Sequence, residues 1–122
     1  MNRANITETA AATLRDAASR MWKQQTGSLV VCHEDEILGI ITERDIMKAV
    51  ARGDDLEATP VSAVMTRSVL TVEPETSIEE AAQHMATRWI RHLPVVTDGK
   101  LVGMLSQRDL CGVLAGRAGA AT

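Results

Sequence analysis

Ile37-Leu38-Gly39-Ile40-Ile41-Thr42-Glu43-Arg44-Asp45 and Leu101-Val102-Gly103-Met104-Leu105-Ser106-Gln107-Arg108-Asp109 are one pattern written twice, 64 residues apart. Each string runs from an apolar stretch through a glycine to a hydroxyl residue and closes on Arg-Asp. The apolar part has the length of a strand. A hydroxyl residue followed three positions later by a carboxylate is the signature of a capped helix start. The hydroxyl accepts from an orphan N–H, and the carboxylate answers the cap's own N–H. A strand leading straight into a helix is therefore predicted twice.

The repetition extends well beyond these strings. Residues 14–50 lie against residues 78–114 over 37 positions without a gap. Eight of those positions are identical: Ala17/Ala81, Ala18/Ala82, Met21/Met85, Leu29/Leu93, Val31/Val95, Gly39/Gly103, Arg44/Arg108 and Asp45/Asp109. Each copy opens on a second capping signal, Thr13 with Asp16 and Ser77 with Glu80. Leu14, Ala17, Ala18, Met21 and Trp22 follow at helical spacing, and Ile78, Ala81, Ala82 and Met85 repeat it. These faces are expected to pack on a sheet. Apolar runs at 29–32 and 93–96 are joined by polar turns to returning strands at 37–41 and 101–105. Asp98-Gly99 is a strong hairpin signal, because a primed turn needs positive φ. Helices at 43–51 and 107–115 complete the copies. Pro94 fits an edge or first-residue strand position, where no ladder N–H is required.

Between the copies, residues 53–60 read as a connector, 61–66 as a short element and 69–72 as a strand. The Gly/Ala-rich tail at 116–122 is expected to fray. A unit of about 50 residues is marginal alone. The two copies are thus expected to bury their sheet faces against each other with pseudo-twofold symmetry. The groove between them would then occur twice.

Composition narrows the function. The chain has 122 residues, 45% of them apolar, with two Trp and neither Phe nor Tyr. Rows of stacking aromatics for single-stranded nucleic acid cannot be built from it. Residues 1–61 hold seven Lys/Arg against ten Asp/Glu, and residues 62–122 hold six against six, so neither half offers a basic face for a phosphate backbone. No nucleic-acid partner is expected. Cys32 and Cys111 make no CxxC and no disulfide framework, and they read as ordinary thiols of a reducing compartment. With no secretion signal after Met1 and no stretch of about 18 apolar residues, a cytoplasmic protein without membrane contact is expected.

The two strings, together with Val64-Met65-Thr66 and His92-Leu93-Pro94-Val95-Val96, closely resemble the tandem CBS-domain family, whose paired form is called a Bateman module. The resemblance runs over roughly residues 6–115. It implies an α+β fold in which two β-α-β-β-α units, 1–60 and 61–122, pack through their sheets as one globular module. It also implies a non-catalytic regulatory module that needs no cofactor and senses AMP, ADP or ATP in the clefts between the units. In the family's pattern the hydroxyl residue and the Asp after the Gly-bearing strand belong to the nucleotide site. By motif these are Thr42 and Asp45 in the first copy, and Ser106 and Asp109 in the second. A carboxylate suits the two hydroxyls of a ribose, and a helix start suits a phosphate. Arg44 and Arg108 would add charge, and Val69, Leu70, Leu93 and Pro94 would border adenine. His92, at the start of a strand near the cleft, would meet phosphate or base. The first copy reads as shortened at its start, with only Asn5, Ile6 and Thr7 as its border. The cleft of Ser106 and Asp109 is accordingly expected to be the stronger.

Other readings stand beside this one. Helix starts need Thr42/Asp45 and Ser106/Asp109 as caps even without a ligand. An adaptor acting through protein–protein contacts alone, or an S-adenosylmethionine-binding module, would keep the same fold. A homodimer and an unidentified regulated protein are the expected macromolecular partners. Trp22 and Trp89 would either seal edges of the core or centre a self-association surface. His33, His84 and His92 have no second ligand at a metal-like spacing, so no metal is expected. No catalytic motif and no GxxxxGK[ST] loop is present.

Overall fold

The computed structural model describes residues 6–67, 69–88 and 91–107. Trp89, Arg108, Asp109, Cys111, the tail and all but the first residue of the helix expected at 107–115 lie outside the described residues. The chain forms β1 (Thr7–Glu8), α1 (Leu14–Gln24), β2 (Ser28–His33), β3 (Glu36–Thr42), α2 (Glu43–Arg52), a 3-10 turn at Val61–Ala63, α3 (Ile78–Arg88), β4 (His92–Thr97) and β5 (Lys100–Ser106). Strands β1-β2-β3 make one sheet and β4-β5 a second.

The caps at Thr13 and Thr42 sit where the sequence puts them. The Thr13 hydroxyl accepts from the Asp16 N–H at 3.1 Å, and the Thr13 N–H donates to Asp16 Oδ2 at 3.1 Å. Donation to the carboxylate from the Thr13 N–H, and after it from the Thr13 hydroxyl, holds the Asp16 carboxyl below the usual carboxylate range. Helix α2 starts on the equivalent box at Thr42 and stops at Gly53, whose φ of 81° is the left-handed stop that favours glycine. At α3 one half of the box is present. The Ser77 hydroxyl accepts from the Glu80 N–H at 3.1 Å, while the Glu80 carboxylate lies 4.0 Å from His84 Nε2.

The repeat is reproduced down to its irregularities. Leu29 faces Ile41 across the β2–β3 ladder as Leu93 faces Leu105 across β4–β5. Both ladders slip at the same step, Val31/Cys32 and Val95/Val96. Both hairpins turn on a left-handed residue, Glu34 at φ 55° and Asp98 at φ 51°.

The strand expected at 69–72 is reduced to a single parallel bridge, Val72 to Val95. Its counterpart in the first copy is better formed: β1 runs parallel to β2, with Thr7 beside Val30 and Glu8 beside Val31. Pro94 explains the difference. In the first copy the Val30 N–H donates to the Ile6 carbonyl at 2.7 Å. Pro94 occupies the equivalent position, facing Leu70, and has no N–H to give. Pro94 is therefore not at an edge. It lies between β5 and residue 72, and its carbonyl accepts from the Val72 N–H at 3.0 Å. The paired stretch of this parallel strand is thus longer in the first copy than in the second.

Alternation along the strands builds three apolar clusters. Leu14, Ala17 and Met21 of α1 cover Leu29, Val31 and Ile41, with Ala49 of α2 beside them. Ala81 and Met85 of α3 cover Leu93 and Val72. The opposite strand faces meet at the seam between the units, where Ile6, Val30 and Ile40 pack with Leu101 and Met104. A fully buried leucine such as Leu29 or Leu93 contributes about 1.5–3 kcal/mol of transfer free energy. Trp22 does not seal the core, because it is 77% exposed. It lies one residue, about 100°, round α1 from Met21, off the buried stripe.

The connector is tied to the first unit. The Val61 N–H donates to the Ala12 carbonyl at 2.7 Å, and Thr66 and Ile40 exchange both backbone bonds at 2.8 and 2.9 Å. Val61 and Met65 join the first cluster.

Candidate ligand cleft between the two units

The strand faces that carry Val30, Ile40 and Met104 to the seam also carry Ser28, Thr42, His92 and Ser106, by the two-residue period of the pleat. These four positions are ladder partners: Ser28 stands across from Thr42, and His92 across from Ser106. Both pairs sit at the strand ends where a helix begins. A cavity of about 540 Å³ opens beside them, lined by Gly27 and Glu43 of the first unit, Arg91, His92, Ser106 and Gln107 of the second, and the C-terminal part of α1. Its volume lies within the range of small-molecule sites. Within this lining, Gly27 with Glu43 and Arg91 with Gln107 are related by the repeat, although α1 has no counterpart from α3 in it. The Glu43 N–H donates to the Gly27 carbonyl at 2.9 Å, and the Gln107 N–H donates to the Arg91 carbonyl at 2.7 Å.

Of the residues expected from sequence, His92 and Ser106 line this cavity together. Thr42 and Asp45 are half-buried and engaged as a cap. The Thr42 N–H and hydroxyl both donate to Asp45 Oδ2 at 3.0 Å, and the Asp45 N–H donates to Thr42 Oγ1 at 3.2 Å. Arg44 is exposed on the first turn of α2. Val69 packs on the seam and Leu70 on the second unit's core. Pro94 is fully buried opposite Met104. Leu93 turns its side chain the other way, into the cluster beneath α3, so only its backbone is available to border a ligand. Arg108 and Asp109 lie outside the described residues.

Three features of the cleft are absent from that expectation. The Glu43 carboxylate lies over Gly27, where an added methyl carbon would stand 3.3 Å from its Cδ and Oε1 atoms. Ser28 is fully buried, and its hydroxyl makes no hydrogen bond among the described residues. Gln107 joins Arg91 on the second side. The repeat carried the signal. Gly27 aligns with Arg91, Ser28 with His92, and Glu43 with Gln107, so the copies differ in charge just where their motifs agree.

A second depression, of about 660 Å³, lies along α1 around Glu8 and Arg20. The two side chains form an ion pair at 3.1 Å, and the Thr9 N–H also donates to Glu8 at 2.9 Å. Among the described residues no cluster of His, Cys, Asp and Glu is arranged to hold a metal. None of the helices there is long and apolar enough to cross a membrane.

Comparison with known proteins places the chain among relatives. The family model for the CBS domain matches twice, over residues 1–52 and 61–116. An uncharacterised 17.7 kDa protein of Acidianus ambivalens is 41% identical over 104 residues, which is 84% of this chain and 62% of that protein. The chain thus spans less than two thirds of that relative's length. Among solved structures, the CBS domain protein PAE2072 of Pyrobaculum aerophilum, complexed with AMP, superposes with a TM-score of 0.83 at 32% identity, covering 93% of this chain and 90% of that one. The CBS domain pair of protein MJ0100, in complex with 5′-methylthioadenosine and S-adenosyl-L-methionine, gives a TM-score of 0.85 at 27% identity over 92% and 89% of the two chains.

Proposed function

The chain belongs to the CBS-domain family and carries the family's unit twice, and from that premise we propose that it is a non-catalytic regulatory module sensing an adenosine nucleotide in the cleft between its units. The observation that carries this reading is the cavity at the seam, where His92 and Ser106 meet beside a helix start. Asp109 takes the ribose hydroxyls, Ser106 the sugar or phosphate, and Arg91, His92 and Arg108 the phosphate. Val69, Leu70 and the backbone of Leu93 and Pro94 border the base. The ligands of PAE2072 and MJ0100 support an adenosine compound as the class. AMP, ADP or ATP is preferred to S-adenosylmethionine because a guanidinium and an imidazole at the cavity suit a phosphate. The exposed Trp22, Met47 and Val50 on α1 and α2 support a homodimer as the assembled form.

Calorimetric titration with AMP, ADP, ATP and S-adenosylmethionine tests this reading. Binding is expected, and Asp109→Ala should weaken it by about five- to 150-fold, the equivalent of about 1–3 kcal/mol for sugar hydroxyls left unpaired. Circular dichroism must first show the variant folded, since the sequence also gives Asp109 the spacing of a helix cap. No heat and no thermal shift at millimolar ligand would overturn the sensor reading. The adaptor reading would then take its place, favoured by the self-contained Thr42–Asp45 cap, which needs no ligand.

A further inference from the structure

We infer that the cleft accepts a phosphate only at its second-unit end, and that the Glu43 carboxylate closes the first-unit end to anions. The inference rests on the nucleotide reading above and adds to it a stoichiometry and a residue that sets it. Pseudo-twofold symmetry offers two equivalent places where a phosphate would sit, one beside each helix start. At the second-unit end stand Arg91, His92 and Gln107: a guanidinium, an imidazole and a neutral amide. The equivalent positions of the first unit hold Gly27, Ser28 and Glu43: no side chain, a hydroxyl and a carboxylate.

The geometry makes this substitution count. Because residue 27 has no side chain, the Glu43 carboxylate settles over it, 3.3 Å from where a Cβ would be. A negative charge thereby lines the cavity on the side where the other unit presents Arg91. A phosphate entering the first-unit end would meet a like charge and find no cation at the matching position. Ser28, where the other unit has His92, is fully buried and does not line the cavity. Both ends open on one cavity, so the carboxylate also acts against a second anion once the first is bound. One nucleotide per chain follows, despite two copies of the motif.

The second copy supplies the design of the test. Glu43→Gln installs the residue that the repeat itself carries at 107, and Glu43 is exposed, so the fold is expected to tolerate the change. Gly27→Arg added to it installs the counterpart of Arg91. The backbone at 27 is not left-handed, and what crowds its Cβ is the far end of the residue 43 side chain, which is exposed and can swing aside. The 122-residue chain is titrated with AMP by calorimetry, with thermal melts as the fold control. Wild type should saturate at one AMP per chain. The double variant should take a second equivalent, with the second step tightened by about tenfold or more, as expected when a like charge is replaced by a complementary one. Glu43→Gln alone should move in the same direction and serves if the double variant does not fold. Two AMP per chain in the wild type would overturn the inference while leaving the nucleotide reading intact. One AMP in every protein would also overturn it, because charge at 43 would not then be what closes the first end. No AMP bound by any of them would remove the nucleotide reading itself, and this inference with it.

Discussion

A methyl group on residue 39 would stand 2.6 Å from the Thr66 carbonyl oxygen and 2.9 Å from Met65 Sδ, whereas on residue 103 its nearest neighbour would be Val95 Cβ at 3.9 Å. Neither glycine has a positive φ. Gly39 is thus a glycine because a second stretch of backbone crosses it, and Gly103 is under no such constraint from the described residues. Gly39→Ala should cost about 1–3 kcal/mol, since the connector has to move. Gly103→Ala should stay within about 0.5 kcal/mol. Urea unfolding of the two variants measures the contrast, and equal costs would refute the argument. In sequence the two glycines look alike, because their local strings agree. What separates them is Met65 and Thr66, which only the fold brings to residue 39. Charge next to the cap was legible in principle, since Glu43 and Gln107 align directly. Its meaning was not, because Gly27 and Arg91 reach the same cavity from different stretches of chain.

At the level of the element, the described helices and hairpins were readable because each is specified by neighbours in sequence: Thr42 with Asp45, Asp98 with Gly99. The parallel border strands are different, because they depend on a partner's donors. Residues 69–72 have a strand's composition, yet only Val72 pairs, since Pro94 withholds the N–H that Val30 gives to Ile6 at 2.7 Å. Pro94→Val, which copies the first unit's residue, should let residue 94 donate to the Leu70 carbonyl and lengthen the pairing. Hydrogen exchange followed by NMR would then show a protected amide at 94. Fast exchange there, in a variant that melts like the wild type, would show that something other than the missing N–H keeps the strand short.

At the level of the whole molecule, the seam of Val30, Ile40, Leu101 and Met104 joins the clusters beneath α1 and α3. Separated units would leave that seam exposed to water, so both should unfold in one step. Leu29→Ala and Leu93→Ala, at equivalent fully buried positions of the two units, should each cost about 2–5 kcal/mol. Each should also lower a single calorimetric transition. Two separated transitions in either variant would show independent halves. The hairpin turns, by contrast, lie at the far ends of the strands from the cleft, since β2 runs from Ser28 beside it to His33 at the turn, a span of about 17 Å. Both turns are exposed, and each belongs to a different unit. A donor dye spliced at residues 34–35 and an acceptor at 98–99 would ride on opposite halves without touching the binding surface. Energy transfer between them would then report any ligand-driven change in how the halves are oriented, which makes the repeat a ready scaffold for an optical biosensor.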